Sequence, residues 1–192
     1  MKKETLKKHH QLRHHRSHRH CRRLLRHQLR QNVDEPPQRL LTKKNLTTMK
    51  NHRNISLIVL HCSATRVTQS FTIEQLEACH KARGYSSVGY HYYITRDGTL
   101  YPCRPENEVG AHALHFNKNS IGICYEGGLD AKGRPADTRT EAQKITMEEL
   151  LRSLCVDFPD AEILGHCDLP GVRKACPCFD TRKWLKEIHF HI

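Results

Sequence analysis

"ISLIVLH", residues 55–61, is a short β-branched apolar run bounded by polar residues and ending on a histidine, His61. Such a run suits a buried central strand. "AEILGH", residues 161–166, is a second short strand that also ends on a histidine, His166. The end of a strand is where a rigid scaffold delivers side chains to a site. What lies between and after these two histidines decides whether they share one.

Between them, strands and helices alternate. "TIEQLEACHKARG" reads as a helix, with Thr72 and Gln75 spaced as a capping box, Ile73, Leu76 and His80 recurring at i, i+3 and i+7, and Gly84 as the stop. "GYHYYITRDGTLYPCR" reads as a hairpin turning on Asp97-Gly98. "NSIGICYEGG", residues 119–128, is another buried strand. "DAKGRPADTRTEAQ" is polar and turn-rich and is expected to be a surface excursion. Thr146 and Glu149 then form a second capping box ahead of "MEELLRSLCVDF", with Leu150, Leu151, Leu154 and Phe158 on its apolar side. A short helix around Trp184 follows. The pattern predicts an α/β domain over 51–192, a central mixed β-sheet flanked by helices.

Residues 1–50 are different. They hold 15 Lys or Arg against 3 acids, and 7 of the chain's 16 His, whereas residues 51–192 are balanced at 17 basic and 17 acidic side chains. The whole net charge of +12 therefore sits in the tail. With few large apolar residues and no aromatic, this segment cannot offset its ordering entropy and is expected to be disordered. It could serve as an arm for anionic surfaces or nucleic acid, or as a solvated tail without a partner, or translation could begin at Met49. The neutral body lacks a basic-aromatic pattern, so no specific nucleic-acid partner is expected. No apolar h-region follows the basic start and no run approaches the length of a membrane span. The sequence thus reads as a soluble monomer made in the cytoplasm. Nine scattered Cys do not resemble a secreted disulfide framework; Cys79, Cys124 and Cys155 read as core filler.

After His166 comes "GHCDLPGVRKACPCFD", residues 165–180. Three Cys, a basic pair and two Pro in so short a stretch admit a zinc ribbon, a disulfide knot or one wall of a catalytic metal site. Two His and one thiolate suit zinc, and a catalytic zinc keeps three protein ligands and leaves the fourth position to water. His61 or His166 taken singly would be an ordinary core or surface histidine. A four-ligand structural site using Cys167, Cys176 and Cys178 competes, but Cys176 and Cys178 are closer than the usual knuckle and no second Cys pair completes a ribbon. Cys62 and Cys167 adjoin the two histidines, yet neighbours on a strand point to opposite faces.

The segments "IVLHCSAT", "VGYHYYITRDGT", "VGAHA", "NSIGICYEGG", "GHCD" and "KACPCFD" occur in the order seen in the zinc-dependent N-acetylmuramoyl-L-alanine amidases, the amidase-2 family that also holds peptidoglycan recognition proteins and small phage amidase-lysozymes. The resemblance runs from about Ile55 to Trp184 and leaves out the tail. It implies one Zn²⁺ on His61, His166 and Cys176, and hydrolysis of the amide between N-acetylmuramic acid and L-alanine in peptidoglycan or a muropeptide. It also implies a catalytic Lys174 and a Tyr90 that orients water and relays a proton. Some members use a glutamate in the "SIGI" strand, but Cys124 stands there; Glu126 is a weaker candidate acid. By the same resemblance His112 and Asn119 would contact substrate in the groove, and His91 would support the site from behind. Arg173 adds charge that could favour anionic stem peptides or be solvated. The alternative is a module that binds muropeptide without cleaving it; such relatives typically lose the cysteine that this chain keeps as Cys176.

Overall fold

The computed structural model describes residues 53–190. The tail expected over 1–50 lies outside the described residues. Strand β1, Leu57–Cys62, is the run that opens the reading, and it lies inside a five-stranded sheet of order β4-β3-β5-β1-β7. Its neighbours β5, Ser120–Tyr125, and β7, Glu162–Gly165, both run parallel to it. Strand β3, Tyr92–Ile94, runs parallel to β5 and antiparallel to β4, Leu100–Pro102, which forms the edge. The sheet is therefore mixed, with one hairpin. The Asp-Gly turn of that hairpin is closed by Asp97, whose carboxylate accepts from Thr95 Oγ1 at 2.7 Å and from Thr99 N at 3.0 Å, and by Gly98 at φ +88°. A small parallel pair, β2 (Thr65–Arg66) and β6 (Gly128–Leu129), continues beyond β1 and β5.

Alternation along the strands builds two different faces. Ile58, Leu60 and Cys62 of β1 join Ile121, Ile123 and Tyr125 of β5 in the main apolar cluster. Helix α2, Glu141–Asp157, covers that face with Met147, Leu150, Leu151 and Leu154, and helix α3, Thr181–Glu187, adds Trp184. The opposite face carries Val59, His61, Tyr93 and Cys124, with helix α1, Ile73–Ala82, contributing Leu76 and His80. The second face is thus the polar one, and it carries His61, His80 and His91.

Helix α1 starts as expected, with Thr72 Oγ1 accepting from Gln75 N at 3.3 Å and Gln75 Oε1 from Thr72 N at 2.8 Å. Helix α2 does not start where the sequence suggested. Its capping box is Thr140 with Gln143, inside the segment expected to be a surface excursion, and Thr146 lies one and a half turns into the helix. Both stretches have the T-x-x-[EQ] spacing. The earlier one caps the helix because the fully buried Gln143 then donates to Ile94 O at 3.2 Å and Glu126 O at 2.9 Å, which ties the helix to the sheet. Thr146 instead donates to Gly98 O at 2.7 Å.

Candidate active site and metal centre

The strand register assembles the site. β1 and β7 are parallel with Leu60 opposite Gly165, so the residues that follow, His61 still within β1 and His166 just past β7, stand side by side. Their ring centroids are 4.5 Å apart. The segment after His166 brings Cys176 back to the same place. Cys167 N donates to Cys176 O at 2.7 Å, Tyr125 Oη donates to Pro177 O at 2.7 Å, and Asp168 Oδ2 accepts from Gly165 N at 2.8 Å. Gly165 is required here, because a Cβ would meet Pro177 Cδ at 2.7 Å. Pro177 and this glycine thus seat the loop against the strand that leads to His166.

The ligand atoms of His61, His166 and Cys176 all lie within 4.8 Å of one another. Cys176 Sγ is 3.8 Å from His61 Nδ1. A tetrahedral zinc with ordinary Zn–S and Zn–N bonds separates those two atoms by roughly 3.6 Å, so the donor set fits the ion in both chemistry and spacing. The backbone N–H of Cys62 donates to Cys176 Sγ at 3.3 Å, which fixes the sulfur's position beside His61. Burial, then the charges of His112, His166 and Lys174, hold the His61 imidazole well below the ordinary histidine value. Burial and then Lys174 lower His166. Both rings are therefore neutral near pH 7, with lone pairs free for a metal.

The other nitrogen of His61 is held by His112, with Nε2 and Nδ1 3.1 Å apart. His112 Nε2 lies 3.4 Å from Ser120 Oγ, which donates to Phe116 O at 2.7 Å. With Nδ1 of His61 given to a metal, one proton arrangement satisfies the whole chain: His61 donates to His112, His112 to Ser120, and Ser120 to the carbonyl. Ring orientation of a metal-bound histidine through its second nitrogen is a general device. Gly122 makes room for it, since a Cβ there would lie 2.5 Å from His112 Cγ. Tyr90, just ahead of β3, places its ring 5.2 Å from that of His61. Burial, and next the neighbouring Cys124 thiol, raise its phenol well above the usual value, so it keeps its proton at neutral pH.

Residues 51–179 of the chain match the model of the N-acetylmuramoyl-L-alanine amidase family, Amidase_2. The chain belongs to that family. It is similar to the endolysin of Klebsiella phage KP32, 40% identical over 132 residues that make up 69% of this chain and 86% of the phage protein. It is also similar to the endolysin of Escherichia phage T7, 38% identical over 138 residues, 72% of this chain and 90% of the relative. Among solved structures, the N-acetylmuramoyl-L-alanine amidase LysC from Clostridium intestinale superposes with a TM-score of 0.61 at 30% identity, over 72% of this chain and 88% of that one. The mixed α/β sheet with its helices is the amidase fold.

Within this family frame, the remaining residues singled out from the sequence take the following places. Lys174 is exposed, two residues from Cys176, and its charge reaches both imidazoles. His91 is fully buried; its Nδ1 accepts from Gly122 N at 3.0 Å and its Nε2 lies 3.1 Å from Glu108 O, so it fixes the strand that shelters His112. Asn119 immediately precedes β5, five residues before Cys124, the position paired with His61, and its amide donates to Ser56 Oγ at 2.8 Å. The structure does not bring it to the cluster. The asparagine that serves the site is Asn117, whose Oδ1 accepts from His112 N at 2.9 Å and Ala113 N at 2.8 Å. Glu126 is not a free acid: its oxygens accept from Phe71 N at 2.7 Å and Arg96 N at 2.8 Å, clamping two loops. Cys167 is exposed, and Cys62 and Cys178 face each other at 3.6 Å on the other side of β1. Among the described residues, His61, His166 and Cys176 form the group whose ligand atoms lie close enough together that they could hold a metal ion.

Proposed function

We propose that the chain hydrolyses the amide between the lactyl group of N-acetylmuramic acid and L-alanine in peptidoglycan, using one zinc ion on His61, His166 and Cys176. The observation that carries this reading is the convergence of those three ligand atoms within 4.8 Å, beside the ring of a protonated tyrosine. A zinc ion held there supplies a Lewis acid and brings the pKa of a water towards ~7. His61 and His166 act as neutral donors, and Cys176 as a thiolate. His112 keeps His61 in the orientation that turns Nδ1 towards Cys176. Tyr90 orients the attacking water through its hydroxyl and relays the proton that this water releases to the leaving amine. Lys174, exposed and two residues from Cys176, offers a cation to the oxygen on which charge develops. The substrate is an outside surface polymer or its fragments. No helix among the described residues is long and apolar enough to cross a membrane.

The test is product analysis. Purified peptidoglycan digested with the full chain should yield stem peptides with a free L-alanine amine and glycans with an intact lactyl carboxyl, by mass spectrometry. A chelator should stop the reaction and added zinc restore it. Lys174→Ala should lose roughly 10²–10³ in turnover and Tyr90→Phe about 10²–10⁴, with metal content unchanged in both. Release of sugars or of cleaved inter-peptide bonds, with lactyl–alanine amides left whole, would sink the proposal.

A further inference from the structure

His80 is a histidine on the core-facing side of α1, one turn after Leu76, and only 5% exposed. An apolar side chain would pack there without desolvating a ring. Its Nδ1 accepts the backbone N–H of Gly89 at 2.9 Å. Its ring packs on that of Tyr90, with centroids 5.4 Å apart and planes at 45°. Tyr85 closes the other side at 5.4 Å.

The Gly89 peptide that His80 holds is a junction. Gly89 O accepts from Ala111 N at 2.9 Å, and Ala111 precedes His112. A Cβ on Gly89 would lie 2.4 Å from Ala111 O, so the two backbones touch directly. Arg104 grips the preceding residue, with Nε donating to Val88 O at 3.1 Å and an Nη donating to Ser87 Oγ at 3.1 Å. One side of this junction leads to Tyr90 and the other to the histidine that orients His61. We propose that His80 is a positioning residue for Tyr90: its Nδ1 fixes the Gly89 peptide and its ring backs the Tyr90 ring, which together set where the phenol stands relative to His61. Burial, then the charges of Arg83 and Arg104, lower the basicity of His80, so it stays neutral and keeps Nδ1 as an acceptor near pH 7. The inference rests on the assignment of Tyr90 to the reaction.

Asn and Gln separate the atom from the residue. Asn can place an acceptor where Nδ1 is, whereas Gln places one where Nε2 is. In the zinc-loaded full chain, His80→Gln should lower kcat by roughly 10- to 100-fold, the range set by a displacement of about 1 Å, with KM and zinc content within about twofold. His80→Asn should stay within about threefold of the unsubstituted chain. Exchange of the Gly89 amide, read by NMR, should be slow in the unsubstituted chain and in His80→Asn, and at least about tenfold faster in His80→Gln. Because His80 acts through Tyr90, His80→Gln should add little to the loss caused by Tyr90→Phe. Full turnover in His80→Gln, or a double variant whose loss is the product of the two single losses, overturns the inference. Full turnover in Tyr90→Phe overturns the reading of Tyr90 itself, and is a distinct result. Should His80→Gln not fold, His80→Asn decides: full turnover with a protected Gly89 supports the inference, and full turnover with an unprotected Gly89, or lost turnover with a protected one, overturns it.

Discussion

Gly122→Ala is the smallest change that should disconnect His61 from its support. Gly122 lies in the middle of β5, paired with Val59, and its φ is not in the left-handed region, so alanine is compatible with the backbone. The difficulty is space alone. The added methyl would sit 2.5 Å from His112 Cγ, 2.6 Å from Cδ2 and 2.7 Å from Nδ1. Ordinary contact requires about 3.4 Å, so the ring must retreat by about 0.9 Å or the strand must shift. The His61 Nε2 to His112 Nδ1 distance is 3.1 Å, and a retreat of that size takes it out of hydrogen-bond range.

Two costs follow. Overpacking of this kind costs about 1–3 kcal/mol, and the lost hydrogen bond adds about 1 kcal/mol. Loss of the partner that orients a metal-bound histidine typically weakens the metal by about 10- to 100-fold. Urea unfolding and competition against a chelating dye measure the two effects on one preparation. His112→Ala removes the obstructing ring, so Gly122→Ala should cost much less stability in that background, and the cycle isolates the clash. The metal affinity should be equally poor in both single variants and the double. If Gly122→Ala binds zinc and unfolds like the unsubstituted chain, His112 does not hold His61 in place, and the hydrogen-bonded chain through Ser120 has no role.

Acid should destabilise the fold through His91, whose burial lowers it to about 4. Between the unfolded value near 6.5 and that folded value the unfolded chain binds the extra proton, so about 3 kcal/mol of stability should be lost as pH falls through this window. Glu106, raised by burial, works in the opposite direction. Urea midpoints at pH 7, 5.5 and 4 should converge between the unsubstituted chain and His91→Gln, and parallel slopes would refute the assignment. A chain beginning at Met49 should fold and keep its turnover on soluble muropeptide, because the core and the site both lie within residues 53–190; equal losses on soluble muropeptide and on intact sacculi would show that residues 1–48 belong to the site.

Periodicity and turn chemistry made the strands, the hairpin and α1 readable, since each is decided by residues a few positions apart. The ends of β1 and β7 are visible in the same way: an apolar run stops at a histidine. That the two histidines meet is a matter of register. It depends on β1 and β7 being parallel neighbours with Leu60 opposite Gly165. No local pattern contains that pairing. The start of α2 is not fixed by its local sequence, because two equivalent capping boxes stand six residues apart. The choice between them depends on Gln143 reaching carbonyls of β3 and of the segment after β5, a contact made only in the folded chain. Asn119 and Asn117 differ by two positions in a tight turn, and only the turn's direction aims Asn117 at His112. Glu126 shows a further limit. A carboxylate beside a candidate site reads as an acid in the sequence, and only the two backbone N–H groups on its oxygens reveal a clamp. The same asymmetry applies to His80. In the sequence it is one more position on an amphipathic helix face, and its chemistry lies in the amide nine residues later that its ring accepts. Polar groups on the α1 face thus form two tiers: atoms turned towards the His-His-Cys cluster, and atoms that fix the backbone from which those side chains project. The second tier is built from contacts distant in sequence, which is why a motif can mark the ligands and leave their supports unmarked.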